Sequence, residues 1–431
     1  MKIKLIAIVS IIAIGIFVTL LTVSNYTSIE KSYNTSLAKA RDNAERQIPY
    51  TAYRHYREAL NIHCEDEAIY EEYLAQAKLL GGNYYSEAVN DYISFFPESA
   101  EAYETLCRLQ YENGSYSSLL ETALIARENG IATDQVKEWY NECAFMLKNI
   151  KVGVEDPQPF LGGYARVRIN ETYGYLKTNG EFLLAPVYTQ ASAMMNNNAA
   201  VNDGEEWHII NNIGFKVART SSPVDYMGMM VSGKIPIALN GKYAYSNSAL
   251  VIPEELPYDY ASNYKNGVAA VKKGEKWALI NTKEEQITDY IFEDVKLDEY
   301  DTCCNEGVIF AKKDGKYYMV NNQGVKISNQ EFDDAKPFAG NGPAAVCISG
   351  KWGFVDNTGK IVIEPQYEGA NSFNIGLGGI CIDGRWGYIN TNGTIRIECQ
   401  FEDCQAFANG GIAAVKENNI WKYVRLLSYC N

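Results

Sequence analysis

The stretch "SGKWGFVDNTGKIVIEPQYEGA" covers Ser349 to Ala370, and a variant of it, "DGRWGYINTNGTIRIECQFEDC", covers Asp383 to Cys404. An aromatic residue at the position of Trp352 recurs along the chain, and we call this series the anchor aromatics: Tyr173, Trp207, Tyr243, Trp277, Tyr317, Trp352, Trp386 and Trp421. Successive anchors are 34, 36, 34, 40, 35, 34 and 35 residues apart. A fixed period of this length is typical of repeat architectures, and it predicts about 7.5 units of ~35 residues, the eighth ending halfway.

Each unit is predicted to form a meander of short strands. A glycine turn, such as Asp383-Gly384, favours a hairpin before the anchor strand. Within that strand Trp352 and Phe354 share a face, and Pro365 ends the next strand because it has no N–H to donate. One meander of this size cannot bury enough apolar surface alone, so neighbouring units must cover each other. We expect the anchor aromatics to form this shared core, while the alternative is an exposed ladder on which sugars stack.

These residues resemble the WG-repeat family of bacterial proteins, whose motif is a Gly-Lys-Trp-Gly hairpin followed by a strand ending in Val-Ile-x-Pro. Residues 350–370 fit the motif almost throughout, and residues 384–404 fit it with Cys399 in place of the proline. The resemblance covers roughly residues 160–425, and it implies a binding or structural module without shared catalytic chemistry. Residues 151–431 are therefore predicted to form an all-β repeat array, either a propeller-like or toroidal ring or an open β-solenoid.

Residues 25–150 carry apolar residues three and four apart, which predicts a series of short helices. The stretches "NYYSEA" (Asn83 to Ala88) and "GSYSSL" (Gly114 to Leu119) resemble the helix junction of tetratricopeptide repeats. That resemblance implies stacked helical hairpins with a peptide-binding groove. The alternative is a spacer that holds the β domain at a distance.

The N-terminal stretch from Leu5 to Val23 contains 19 residues without a charge, close to the length of a membrane-spanning helix. We predict a transmembrane helix here, so that residues 1–24 form a membrane anchor. Lys2 and Lys4 precede the stretch, which favours an N-terminus inside the cell and the bulk of the chain outside the cytoplasm. Secretion after cleavage of a signal peptide is the alternative. The predicted fold class is thus multidomain α plus all-β: a transmembrane helix, TPR-like hairpins and a β-repeat array.

The composition excludes several classes of function. The net charge of −14 argues against binding to nucleic acid, which requires a basic surface. Three histidines in 431 residues leave little material for imidazole chemistry. We assign no catalytic, cofactor-binding or metal-ligating residue and no cofactor, and we expect no enzymatic activity. Acidic residues near the strand ends could suggest calcium, but they lack the spacing of a calcium loop, and solvated turns are favoured: Asp259, Glu293, Asp294, Asp333, Asp334, Glu368, Glu402 and Asp403.

Two cysteines, Cys347 and Cys381, occupy the same position in successive units, five residues before their anchors. A disulfide between them is a hypothesis that requires their Cα atoms to lie within about 7 Å. The function predicted from the whole sequence is that of a membrane-anchored extracytoplasmic repeat protein. It would bind a protein or a cell-envelope polymer without covalent chemistry. The alternative is an envelope scaffold whose helical hairpins dock a partner protein.

Overall fold

The computed structural model describes residues 25–63 and 66–430. It divides into two compact units, one that ends at Ala144 and one that begins at Phe145. The first unit is helical and the second is built from short antiparallel strands. Residues 147–150, which the sequence assigned to the helical region, belong to the first strand of the second unit.

The helical unit contains seven helices in its described part. Hydrogen bonds from backbone N–H groups to the side chains of Ser99 and Thr133 fix the first turns of two of them. The prediction of helical hairpins is consistent with this arrangement, because consecutive helices pack on each other. The helices are α1 (25–45), α2 (Pro49–Ile62), α3 (Glu67–Leu80), α4 (Gly82–Phe95), α5 (Ala100–Glu112), α6 (Tyr116–Glu128) and α7 (Asp134–Cys143).

Tyrosine rings form much of the core of this unit. Tyr53 stacks on Tyr73 with ring centroids 4.9 Å apart, and Tyr70 stacks on Tyr92 at 4.7 Å. The Tyr70 hydroxyl donates to the carbonyl of Ala88 at 2.8 Å, so the buried phenol is paired. Large rings therefore supply buried area between these short helices, with the Tyr70 hydroxyl paired and the buried Tyr73 hydroxyl without a hydrogen-bond partner among the described residues.

The prediction of an N-terminal transmembrane helix is wrong for the part of the chain that the structure describes. In residues 25–63 and 66–430 no helix is long and apolar enough to cross a membrane. Helices α2 to α7 contain 10 to 14 residues, which at about 1.5 Å per residue is too short for a bilayer core of about 30 Å. Helix α1 is longer but carries charges such as Lys31 and Arg41. The stretch for which the helix was predicted, Leu5 to Val23, lies outside the described residues.

The β unit contains eight small sheets among its described residues, and we call each sheet a blade. Blade 1 contains β2 (Tyr164–Ile169), β3 (Thr172–Lys177) and β4 (Phe182–Tyr188). Blade 2 contains β5 (Gln190–Ala191), β6 (Asn198–Asn202), β7 (Trp207–Asn211) and β8 (Lys216–Arg219). Blade 3 contains β9 (Tyr226–Met227), β10 (Lys234–Leu239) and β11 (Lys242–Asn247). Blade 4 contains β12 (Tyr260–Ala261), β13 (Val268–Lys273) and β14 (Lys276–Asn281).

The remaining blades follow in chain order. Blade 5 contains β15 (Asp294–Val295), β16 (Val308–Lys313) and β17 (Lys316–Asn321). Blade 6 contains β18 (Asp334–Ala335), β19 (Ala344–Ile348), β20 (Lys351–Val355) and β21 (Ile361–Tyr367). Blade 7 contains β22 (Gly369–Asn374), β23 (Leu377–Ile382), β24 (Arg385–Asn390) and β25 (Ile395–Phe401). Blade 8 contains β26 (Asp403–Cys404), β27 (Ile412–Glu417), β28 (Ile420–Leu426) and, as its fourth strand, β1 (Leu147–Val154).

Strand β1 closes the array into a ring. It pairs antiparallel with β28, with Leu147 opposite Leu426 and Val154 opposite Trp421. The half-unit at the C-terminal end is therefore completed by a strand from the start of the β unit. Between the two arrangements that the sequence left open, the topology is that of an eight-bladed propeller-like ring rather than a solenoid.

A hydrophobic cluster fills each of the eight interfaces between consecutive blades, including the one between blades 8 and 1. At the centre of each cluster lies the residue two positions after an anchor aromatic, at most 3% exposed: Tyr175, Ile209, Tyr245, Leu279, Met319, Phe354, Tyr388 and Tyr423. Of the anchors themselves, Trp207 and Tyr317 are buried and the other six are half-buried. The centre of the core is therefore the residue two positions after each anchor, whereas the sequence predicted the anchor itself.

One hydrogen bond recurs across these interfaces. The hydroxyls of Tyr175, Tyr245 and Tyr388 each donate to the backbone carbonyl 17 residues later, at 2.8, 2.7 and 2.8 Å. In the last blade the Tyr423 hydroxyl donates at 2.5 Å to the carbonyl of Gln158, which precedes blade 1. The same hydrogen bond thus joins neighbouring blades within the repeat array and joins blade 8 to blade 1 where the ring closes.

The glycine of the Trp-Gly pair permits a close approach between two strands. A Cβ atom at Gly353 would lie 2.5 Å from the carbonyl oxygen of Ile363 on β21. Blades with this glycine, at Gly174, Gly353 and Gly387, end in a seven-residue strand: β4, β21 and β25. Blade 2 carries His208 instead and has a shorter strand, β8, of four residues. Blades 3, 4 and 5 carry Ala244, Ala278 and Tyr318, and isolated bridges replace the strand there. The long form of the strand therefore occurs together with the glycine.

Candidate functional site: a cavity at the centre of the ring

The first strand of each blade and the residues that follow it form the inner lining of the ring. Gln158, in the segment before blade 1, donates through Nε2 to the carbonyl of Glu299 at 2.6 Å. Glu299 follows the first strand of blade 5, which is opposite blade 1 in a ring of eight. This bond therefore crosses the centre of the ring.

The segment that reaches across, residues 297–302, is the insertion that makes one repeat interval 40 residues long, and we call it the crossing loop. The carboxylate of Asp298 organises it. Its Oδ1 accepts hydrogen bonds from the N–H groups of Tyr300 and Thr302, at 3.0 and 2.9 Å, and its Oδ2 accepts one from the Thr302 hydroxyl at 2.7 Å. The side chain of Asn263 in blade 4 donates to the carbonyl of Tyr300 at 2.9 Å. These bonds fix the loop before any ligand arrives.

Beside the crossing loop lies a cavity of about 630 Å³. Its walls come from blades 1, 4, 5, 6, 7 and 8, mainly from residues in or next to the first strand of each blade, which we call the inner segment. The Trp352 ring and the Phe160 and Phe407 side chains supply apolar wall, while Asn371 and Asn409 supply amides. Apolar walls with a few convergent polar groups are typical of ligand sites, which measure about 300–1,000 Å³.

Three lysines line this cavity, and two of them are paired with carboxylates. Lys265 Nζ lies 3.2 Å from Asp298, and Lys296 Nζ lies 2.8 Å from Asp334. The third, Lys336, donates to Asn371 Oδ1 at 2.5 Å and forms no ion pair within 4 Å among the described residues. Its ammonium lies 5.7 Å from the ring of Trp352 and 5.6 Å from that of Trp386. Loss of hydration lowers the pKa of Lys336.

Glu299 brings a negative charge to the same cavity. Protein atoms surround its side chain on most sides, although the cavity leaves it accessible to water, and its carboxylate forms no ion pair within the described part of the chain. Loss of hydration raises the pKa of Glu299, and the neighbouring Asp298 raises it further, while Lys336 and Lys265 lower it. Glu306 also lines the cavity, so Lys336 and two carboxylates, Glu299 and Glu306, form no ion pair within 4 Å among the described residues.

Asp301, also on the crossing loop, faces away from the cavity lining. Its carboxylate accepts a hydrogen bond from the hydroxyl of Tyr260 in blade 4. Burial raises the pKa of Asp301 to about 7, and Asp298 adds to the effect while the Tyr260 bond opposes it. A group that titrates near neutral pH thus lies in the contact between the crossing loop and the ring.

Several acidic residues that the sequence analysis weighed as calcium ligands bind hairpin turns. Asp259, Glu293, Asp333, Glu368 and Glu402 each accept a hydrogen bond from a backbone N–H in the turn before an anchor strand. Of the others, Asp334 forms an ion pair with Lys296, and Asp294 accepts a hydrogen bond from the Tyr317 hydroxyl. In the described residues no group of three or more His, Cys, Asp or Glu side chains could hold a metal ion.

Three anchor aromatics and two tyrosines between them form a chain of touching rings on blades 2 to 4. The centroids of Trp207, Tyr226, Tyr243, Tyr260 and Trp277 follow one another at 6.0, 5.8, 5.2 and 5.4 Å. The rings are tilted or edge-on to each other, which is the geometry of packing between blades. These five rings therefore serve as blade-to-blade contacts.

Cys347 and Cys381 are both free thiols, as are the other cysteines within the described residues. The disulfide hypothesis for this pair is wrong. The two residues lie at equivalent positions in neighbouring blades, where each pairs with an anchor across its own hairpin: Cys347 with Trp352 and Cys381 with Trp386.

Comparison with known proteins finds a family that matches the repeats. Five segments match the family described as "WG containing repeat": residues 173–207, 257–277, 319–352, 352–386 and 386–421. WG repeats are thus matched at five positions within residues 173–421. The resemblance drawn from the sequence is confirmed, and the matches at 352–386 and 386–421 show that one WG repeat extends from the anchor strand of one blade to that of the next.

No curated protein matches the chain. Among solved structures, a eukaryotic initiation factor is 11% identical, with a TM-score of 0.38, over 64% of this chain and 94% of that one. A dihydro-heme d1 dehydrogenase, NirN, solved in complex with DHE, is 10% identical, with a TM-score of 0.38, over 62% of this chain and 68% of that one.

Proposed function

We propose that this WG-repeat chain is an extracytoplasmic binding protein that holds a cell-envelope polymer, without covalent chemistry, in the central cavity of the ring. The observation that carries the proposal is the combination, on one cavity wall, of the half-buried Trp352 ring and the Lys336 ammonium, which Asn371 holds by a hydrogen bond and which has no carboxylate within 4 Å in the described residues. An aromatic face beside hydrogen-bonding side chains suits a sugar or peptide segment, because such segments have both apolar and polar faces.

The proposed location outside the cytoplasm rests on the sequence, in which Lys2 and Lys4 precede the uncharged stretch from Leu5 to Val23. Proteolysis of intact cells by an added protease tests this location. We expect the β unit to be digested before lysis. A chain that is spared in intact cells and digested after lysis would contradict it.

Binding is tested by co-sedimentation of the purified full chain with insoluble cell-wall polymer. We expect binding that Trp352→Leu weakens, because the substitution removes a ring from the cavity wall. Trp421→Leu is the matched control, since Trp421 is the anchor of blade 8 and is also half-buried but does not line the cavity. Equal losses in both variants would attribute the effect to stability. No sedimentation of the unmodified chain would contradict the proposal.

A second candidate function is that of a scaffold whose helical hairpins dock a partner protein. A depression in the helical unit contains the exposed rings of Tyr50 and Tyr84, 5.9 Å apart, next to Arg54 and Arg57. A partner retained by the full chain, lost with Tyr84→Ala and kept with Trp352→Leu would favour the scaffold. Loss with Trp352→Leu alone would favour the cavity.

A further inference from the structure

We infer that the central cavity recognises a zwitterionic group, a ligand segment that carries both an anion and an ammonium. The ligand's anion would lie at Lys336 and its ammonium at Glu299. This inference rests on the proposed function and names the part of the polymer that is bound: a peptide segment with a free carboxylate and a free amino group.

The first step is the charge balance of the cavity. Lys265 and Lys296 are neutralised by Asp298 and Asp334. Lys336 has an amide partner, Asn371, but no carboxylate within 4 Å in the described structure. The ammonium is partly removed from water, and Glu299, Asp403 and Asp334 act on it only from beyond ion-pair distance, so a ligand anion in direct contact gains more than it would at the protein surface.

The second step is the fixed position of the opposite charge. Glu299 lies on the crossing loop, whose backbone Asp298 fixes by hydrogen bonds. The side chain of Gln158, on the other side of the ring, donates a hydrogen bond to the backbone carbonyl of Glu299. The carboxylate is therefore presented by a rigid backbone. A preorganised charge loses little freedom when a ligand binds.

The third step is that these two charges attract each other across the cavity without direct contact. No ion pair forms between Lys336 and Glu299 within 4 Å among the described residues. Lys336 donates to Asn371 and lies beside the rings of Trp352 and Trp386. A ligand with a single negative charge would satisfy Lys336 but meet repulsion from Glu299. A zwitterionic ligand satisfies both.

The rest of the wall suits a peptide. Asn374 donates to Asn409 at 3.2 Å, and both line the cavity beside Asn371. Amide side chains both donate and accept, as peptide groups do. Phe407 and Trp352 supply the apolar wall against which a small side chain or a sugar ring can pack.

The test is isothermal titration calorimetry of the full chain with a soluble disaccharide-peptide fragment of cell wall in three forms: unmodified, acetylated at its amine, and esterified at its carboxylates. Charge-assisted hydrogen bonds predict a loss of roughly tenfold to a hundredfold for each blocked charge. Lys336→Gln should weaken binding of the unmodified fragment by the same factor and barely change binding of the ester. Glu299→Gln should weaken binding of the unmodified fragment and barely change that of the acetylated form.

Lys351→Gln and Glu364→Gln are the matched controls, because both side chains are exposed on blade 6 outside the cavity. Lys336→Arg should restore most of the affinity, which separates loss of charge from loss of fold. Equal affinity for all three forms would overturn the zwitterion while leaving the proposed function standing. No binding of any form would overturn both. Free alanine, which is itself a zwitterion, is a further probe that distinguishes a polymer segment from a free amino acid. Binding of alanine as tight as that of the fragment would make the ligand an amino acid rather than a polymer.

Discussion

Replacement of Tyr423 by phenylalanine tests whether the ring is closed. The Tyr423 hydroxyl donates to the carbonyl of Gln158 across the interface between blades 8 and 1. Tyr388 makes the corresponding bond to Gln405 inside the repeat. If the ring is closed as described, the two phenylalanine variants should destabilise the β unit by similar amounts.

The magnitude follows from burial of both partners. Tyr423 is fully buried and Gln158 is 7% exposed, so the freed carbonyl cannot turn to bulk water. A net hydrogen bond contributes about 0.5–1.5 kcal/mol, and a buried acceptor left unpaired costs about 1–3 kcal/mol. We expect Tyr423→Phe to lower the free energy of unfolding by about 1–3 kcal/mol, and Tyr388→Phe likewise.

The assay is equilibrium unfolding in urea followed by tryptophan fluorescence, which reports mainly on the β unit because five of the six tryptophans lie there. Tyr429→Phe is the control: this ring is 40% exposed, and its hydroxyl loss should change stability by less than about 0.5 kcal/mol. A Tyr423→Phe variant as stable as the Tyr429→Phe control, with Tyr388→Phe destabilised, would refute closure by β1.

Three further predictions concern single features of the β unit. Gly353→Ala should cost about 1–3 kcal/mol in urea unfolding, because the new Cβ would lie 2.5 Å from the Ile363 carbonyl oxygen; unchanged stability would refute the close approach. Burial raises the pKa of Asp301 to about 7, above the value of about 3.9 in unfolded chains. Between these two pH values the folded protein keeps the proton and the unfolded chain loses it. The free energy of unfolding should therefore fall as pH rises from about 4 to about 7. Asp301→Asn should flatten that decline in thermal unfolding curves, and an unaltered slope would assign the decline to other groups. Glu402→Ala removes the acceptor for the Asn419 N–H and should cost about 1 kcal/mol, and a neutral effect would show that the turn needs no cap.

The repeat was predictable because its signal is local. The anchor spacing, the glycine turns and the strand-ending proline all lie within one unit, and each has a direct steric reason. The same local view could not decide which aromatic is core. Trp352 and Phe354 share a strand face, and alternation alone does not say that Phe354 lies deeper.

The choice between a closed ring and an open solenoid stayed open because the strand that closes the ring carries none of the motif. Strand β1, "LKNIKVGV", follows directly on a helix, and its partner β28 lies about 270 residues later in the chain. Two signals could have indicated it: the last unit lacks a fourth strand, and residues before the first unit alternate between apolar and polar. The crossing loop was visible as a 40-residue interval, but its contact with Gln158 depends on ring geometry that no local pattern encodes.

The residues that build the blades and the residues that define the cavity are different sets. Anchors, the buried residue two positions later and the turn-binding carboxylates recur because every interface needs them. The third residue from the start of each blade's first strand is more variable, although in blades 2 and 4 it is a serine that accepts a backbone N–H: Ser192, Gly228, Ser262, Lys296, Lys336, Asn371 and Gln405. Lys336 and Asn371 come from this variable position, and Glu299 comes from an insertion in a single unit. The chemistry of the cavity therefore arises where the units depart from one another, which lets a symmetric ring hold an asymmetric ligand.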